Sequence, residues 1–227
     1  MANSTQFRIS DMGPDGDIDY DAQQAAVAYN SVDNEYLVVW AGDDNVGVVD
    51  GEFEIFGQRI DASTGLEIGV NDFRISDVGP PLNRDFDASN PAVAYNSTNN
   101  QYLVVWEADD SLNFVGDGES EIYGQRLDGT TAGEIGANDF RISDMGVDGN
   151  ADYDAVSPAI AYNGADNLYL VAWSGEDGTF SGEFEIYGQL LSGSTGLSVG
   201  TNDFLISTMG PAADTSYDAI SPAVAYN

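Results

Sequence analysis

Ala92-Val93-Ala94-Tyr95-Asn96, Tyr102-Leu103-Val104-Val105-Trp106, Glu121-Ile122-Tyr123-Gly124-Gln125-Arg126 and Phe140-Arg141-Ile142-Ser143 decide the fold, because each returns elsewhere in the chain. Phe-Arg-Ile-Ser also stands at 7–10 and 73–76, and Phe-Leu-Ile-Ser at 204–207. Ala-Val-Ala-Tyr-Asn recurs at 26–30 and 223–227, and Ala-Ile-Ala-Tyr-Asn at 159–163. The tryptophan-ended segment recurs at Trp40 and Trp173, and the third segment reopens at Glu54 and Glu185. Successive copies lie 66, 67 and 64 residues apart, a period that belongs to a repeat architecture.

Each segment is short, β-branched and aromatic, bounded by Gly, Asn, Asp or Pro, so each reads as a strand; no window has a helical period. Call the four strands A, B, C and D in the order quoted. Strand A sets Val27 and Tyr29 against the small Ala26 and Ala28. Strand B is apolar on both faces, Tyr36, Val38 and Trp40 against Leu37 and Val39. Strand D alternates, Phe7 and Ile9 against Arg8 and Ser10. Small residues inside, full burial in the middle and half burial outside is the gradient a propeller blade needs.

The expected fold is therefore all-β: a β-propeller of four-stranded antiparallel blades, with three full blades and flanking strands in a single repeat domain, 1–227. Blades are expected at 26–76, 92–143 and 159–207, after an outer strand and acidic loop at 1–25 and before an incomplete fourth blade at 208–227. The alternative, tandem β-sandwich-like repeats, needs about seven strands in about 100 residues per unit. The lone D at the start and lone A at the end both lack B and C. Two copies therefore cannot complete each other's end blades, and a fragment of a longer array is expected over a self-assembling arc.

The pattern Ala28-Tyr29, Val38-Val39-Trp40, Phe56-Gly57-Gln58-Arg59-Ile60-Asp61, Gly65 to Gly69, Phe73-Arg74-Ile75-Ser76 resembles bacterial repeat propellers of large secreted or surface proteins. That resemblance covers nearly the whole chain. It implies the fold and an extracellular or cell-surface setting, and no ligand. Repeat three departs from it, since Leu190 rather than Arg follows Gln189.

Charge narrows the chemistry. There are 39 Asp plus Glu against six basic residues, all Arg, for a net charge of -33; His and Cys are absent. Without Lys, His or Cys there is no Ser-His-Asp or thiol nucleophile, no zinc site of the usual ligands, no Schiff base and no Walker loop. So negative a surface repels nucleic acid and anionic membranes. No apolar run suits membrane insertion, and no signal peptide is visible. The remaining ligands are oxygens, which suit hard cations, calcium first.

In an up-and-down blade the D–A and B–C connections share one face, and 29 of the 39 acids map there. The sharpest cluster is Asp15, Asp17, Asp19 and Asp21; a second is Asp50 and Glu52 with its copy Asp117 and Glu119. One acid recurs in every aromatic-Asp-Ala copy: Asp21, Asp87, Asp154 and Asp218. These eleven are the candidate calcium ligands. They read equally as turn acceptors or as the solvated face of a salt-adapted protein. The tryptophans, Gln58, Gln125 and Gln189, and Tyr29, Tyr95, Tyr162 and Tyr226 read as structural. No catalytic residue is assigned.

Because equivalent residues recur in each blade, multivalent weak contact favours a non-enzymatic, calcium-stabilised binding or adhesion module, its ligand a glycan or cell-surface group. The alternatives are a glycoside-hydrolase-type propeller, with Asp21, Asp87 and Asp154 as candidates by type, and a structural spacer of a salt-adapted surface protein.

Overall fold

The computed structural model describes residues 7–14, 17, 20–43, 51–78, 86–109, 118–147, 150, 152–176, 182–211 and 214–227. These form three four-stranded antiparallel sheets without helix, the blades of a β-propeller. Blade 1 holds β1 (Ala22–Asn30), β2 (Glu35–Gly42), β3 (Glu54–Asp61) and β4 (Glu67–Arg74). Blade 2 holds β5 (Ala88–Asn96), β6 (Gln101–Asp109), β7 (Ser120–Asp128) and β8 (Glu134–Arg141). Blade 3 holds β9 (Ala155–Asn163), β10 (Leu168–Gly175), β11 (Glu185–Ser192) and β12 (Ser198–Leu205). The A strands β1, β5 and β9 pack on one another in turn and so line the axis.

Two strands run differently from their motifs, and bulges are the reason. Strand A starts four residues before Ala26, because a register break between Gln23 and Ala26 lets the ladder continue through Gln24 at φ 56°. Asn90 and Ser157 repeat that conformation. Their next residues, Pro91 and Pro158, are tolerated because a bulge leaves a backbone N–H unused. Strand D ends at Arg74 rather than spanning Phe73–Ser76, and its first half comes from the segment holding Gly69, whose φ is 87°. The Gln58 side chain fills the break opposite: Asp72 N–H donates to its Oε1 (3.0 Å), and its Nε2 donates to the Arg59 and Ile68 carbonyls (3.0 and 3.3 Å).

The core lies between blades. One cluster joins Leu37, Val39, Ala41, Ile55 and Ile75 of blade 1 to Tyr102, Val104 and Trp106 of blade 2. A second repeats it between Leu103, Val105, Ile122 and Ile142 and blade 3's Tyr169, Val171 and Trp173. Gly124 has no side chain because a Cβ there would meet Ile142 Cδ1 at 2.9 Å and the Val104 carbonyl at 3.2 Å. On the face opposite the acidic loops, Asn30 Nδ2 donates to the Gly129 carbonyl and Asn100 Oδ1 of the next blade (3.0 and 3.2 Å); Asn96 does the same to Gly193 and Asn167.

The flanking copies keep their blade positions without a ladder. Ala219 N–H donates to the Phe184 carbonyl (2.8 Å), as Ala88 N–H does to Phe53 (2.8 Å), so residues 218–227 hold the A position after blade 3. Asp11 N–H donates to Asp72 Oδ2 (2.5 Å), as Asp77 N–H does to Asp139 Oδ2 (2.8 Å), so 7–11 hold a D position before blade 1.

One site changes character along the repeat. In blade 1 Arg59 pairs with buried Glu35 through two hydrogen bonds (2.8 and 2.6 Å). In blade 2 Arg126 meets neutral Gln101 (3.1 Å) and the Thr195 carbonyl (2.7 Å). In blade 3 the two positions are Leu168 and Leu190. The missing arginine of repeat three is thus matched by the loss of its acid. Removing one partner of a buried pair strands a charge, whereas replacing both with apolar groups is close to neutral. Arg59→Leu alone is expected to cost about 3 kcal/mol and Glu35→Leu/Arg59→Leu far less, read from urea midpoints.

Candidate functional site

The recurrent aspartates have defined work. Asp87 Oδ1 accepts the Phe53 N–H (2.8 Å), Asp154 Oδ1 that of Ser120 (2.8 Å) and Asp218 Oδ1 that of Phe184 (3.2 Å). Each ties an inner strand to the start of strand C in the blade before, which places the D–A and B–C loops on one face. Asp21, with no such blade before it, is exposed and offers its carbonyl to Asp43 N–H (3.0 Å). Glu52 and Glu119 are buried under the same loops, and Asn150 N–H donates to Glu119 Oε2 (3.1 Å). Asp17 is exposed. Asp15, Asp19, Asp50 and Asp117 lie outside the described residues. Among the described residues, no three acidic side chains converge as metal ligands would.

Perturbed carboxyls usually flag function. Burial pushes Glu54 and Glu121 up to about 7 despite bonds from Ser76 or Ser143, Arg74 or Arg141, and a backbone N–H. Yet both are fully engaged and threefold repeated: Ser207 Oγ and Met209 N–H bind Glu185 likewise. They clasp strand C to the end of strand D, and that role is structural.

Glu107 breaks the repeat. Its position holds Ala41 in blade 1 and Ser174 in blade 3. It sits on β6 just past Trp106, against the inner-strand bulges. Ser89 Oγ and Asn90 Nδ2 donate to its Oε1 (2.8 and 2.7 Å), and Ser157 N–H of the next blade to its Oε2 (2.5 Å). Gln24 extends the row: its Nε2 donates to Asn90 Oδ1 (2.7 Å) and its Oε1 accepts Asn90 N–H (3.0 Å). Asp154 stands near enough for the Glu107 charge to act on it. Burial first, then the Glu107 and Asp152 charges, raise its carboxyl above the ordinary range, against the pull of the Ser120 N–H. Sequence reasoning counted Glu107 among the loop acids. Comparing each blade position for the odd residue out would have found it.

Compared by sequence, the chain matches no protein-family model and no curated protein. Compared by structure, it is similar to an N-acetylgalactosamine deacetylase from F. plautii solved with blood group B trisaccharide. The TM-score is 0.52 and the identity 14%, over 86% of this chain and 56% of that one. It is also similar to a thermostable family-43 glycoside hydrolase: TM-score 0.51, identity 15%, over 83% and 57%. At such identity the likeness is one of fold, and it places the chain among β-propellers. The chain spans little more than half the length of either structure.

These neighbours correct the expectation of a non-enzymatic adhesion module: both are enzymes that work on carbohydrate, and they favour the glycoside-hydrolase alternative. The physical reason the earlier expectation fails is visible above. It rested on repetition, and the repeated polar residues described hold backbone groups and neighbouring blades together. Asymmetry enters at Glu107.

The clasp carboxyls have a pH signature. Their folded values lie above the ordinary 4.5, so their contribution to stability is full below about 4.5 and is lost as pH rises through about 7. Glu54→Gln/Glu121→Gln is expected to flatten the fall in melting temperature between these limits; an unchanged profile contradicts the assignment.

Proposed function

We propose that this chain acts on glycans as a glycoside-hydrolase-type propeller, with Glu107 and Asp154 as its working carboxylates. The observation that carries the reading is the odd carboxylate: Glu107 is set among repeated inner-strand donors where the other blades have Ala41 and Ser174. The carbohydrate enzymes among the structural neighbours support it. Glycosidic cleavage needs one carboxyl that holds a proton and one held ionised, set by different surroundings. Asp154, raised by burial and by like charge, is assigned the first role; its Oδ1 is taken by the Ser120 N–H, which leaves Oδ2 as the oxygen for the leaving group. Glu107, fixed by three donors, suits the base or nucleophile on the other side of the sugar. A net charge of -33 repels uronic and sulfated glycans, so the substrate class is a neutral glycan. A substrate of that kind fits the secreted setting that the blade pattern implies.

The test is a panel of neutral aryl glycosides and oligosaccharides. Glu107→Gln and Asp154→Asn are each expected to lower kcat about a hundredfold or more, in proteins whose melting temperature shows them folded. Full turnover in both variants, or none by the parent on any substrate, defeats the assignment.

A further inference from the structure

Blades 1 and 2 meet around a buried carboxylate that is absent where blades 2 and 3 meet. Glu35 Oε1 accepts from Arg59 Nε (2.8 Å) and from the Tyr102 hydroxyl (3.4 Å), and its Oε2 accepts from Arg59 Nη2 (2.6 Å). One blade on, Gln101 stands in place of Glu35, while both donors are kept as Arg126 and Tyr169. Arg126 is 7% exposed and Tyr169 1%. Gln101 Oε1 accepts from Arg126 Nη2 (3.1 Å). Arg126 Nε and the Tyr169 hydroxyl are buried without a hydrogen-bond partner among the described residues. The two residues stand near enough for the arginine's charge to act on the phenol. The Asn96 amide beside them is committed to Asn99, Asn167 and the Gly193 carbonyl (3.3, 3.1 and 3.0 Å). Two orphan donors thus remain where, one blade earlier, a carboxylate oxygen holds the same pair.

Charge widens the difference. Arg8, Arg59, Arg74 and Arg141 each meet a carboxylate at ion-pair distance; Arg126 meets none among the described residues. Two further acids of the blade 1–2 boundary are also neutral here: Asn99 replaces Asp33, whose charge acts on Arg59, and Ser198 replaces Glu134. A cleft of about 230 Å3 opens beside Arg126, between β8 and the β11–β12 turn. Phe140, Thr195, Leu197 and Ser198 line it, and no carboxylate does. Arg141 also reaches it but is already paired with Glu121 and Asp144. Gly196, at φ 75°, keeps the cleft open, since a Cβ there would meet Arg126 Cδ at 2.9 Å. A buried cation left unpaired is costly, and the guanidinium fork matches a carboxylate.

We propose that this cleft binds a small organic monocarboxylate, which supplies from solution the charge that Glu35 supplies between blades 1 and 2. Its carboxylate takes the Nε–Nη2 edge of Arg126, displacing the partly exposed Gln101 amide, and one oxygen accepts the Tyr169 hydroxyl. Its apolar body lies against Phe140 and Leu197. A single charge is selected because the field of a chain with net charge -33 opposes phosphate and other multiply charged anions more strongly. The site does not rest on the glycosidase reading. Gln101 opens β6, and Glu107 stands six residues along the same strand, about 20 Å away.

Saturation-transfer NMR on the intact chain at fixed ionic strength tests this, with sodium butyrate as the ligand and butyramide as its neutral control. Butyrate should receive saturation, and butyramide should bind about tenfold more weakly or less. Gln101→Glu builds the carboxylate of blade 1 into the site. It should weaken butyrate binding about tenfold or more and raise the melting temperature measured without butyrate. Arg126→Leu/Gln101→Leu, the pair that blade 3 carries as Leu190 and Leu168, should abolish binding in a protein whose melt shows it folded. No saturation of butyrate by the parent overturns the proposal. So does equal binding of butyrate and butyramide, which leaves an apolar cleft only, or undiminished binding by Gln101→Glu.

Discussion

Everything in this molecule depends on the contact between consecutive blades. A four-stranded sheet that is apolar on both faces of its second strand cannot be stable alone; it must be covered twice. Leu37 and Val39 are buried by blade 2, Tyr102 and Val104 by blade 1, and the pattern returns one blade on. Trp40 and Trp173 show how tightly the copies are kept: each indole N–H reaches a methionine sulfur, Met12 or Met145, at 3.4 Å. In blade 2 that methionine is Val78, and the fully buried Trp106 N–H finds no hydrogen-bond partner among the described residues.

The polar residues obey the same logic. Gln58, Asn30, Glu54 and Asp87 each satisfy backbone groups that a bulge, a blade boundary or a strand end would leave bare, and their copies do likewise. Repetition in this chain is a record of structural need. Departures from it therefore carry most of the information. Some are compensated, as where Glu35 and Arg59 become Leu168 and Leu190. Glu107 is different, since it adds a charge where the other blades have alanine or serine and engages the bulges of two inner strands.

The sequence made the blade legible because periods, β-branched runs and aromatic positions are local signals. It hid the true starts of strands A and D, because a bulge breaks the alternation that marks a strand. Gln24 and Gly69, both at positive φ, sit at those breaks. The roles of Asp87, Asp154 and Asp218 were equally hidden. A carboxylate that caps a backbone N–H and one that binds calcium have the same sequence signature; which it is depends on what the neighbouring blade presents. Glu107 was obscured by company, standing two residues before Asp109 and three before Asp110 in a run that reads as acidic loop.

The acidity of the chain also changes meaning once the loops are placed. Charge spread evenly would leave each carboxylate solvated and ordinary. Gathered at one face and pressed between blades, the same groups desolvate one another. Asp154 feels Glu107 and Asp152, and Glu176 feels Asp154, Asp152 and Asp218, with burial the larger cause in both. The departure from the repeat is Glu107, a charge set where blades 1 and 3 have Ala41 and Ser174.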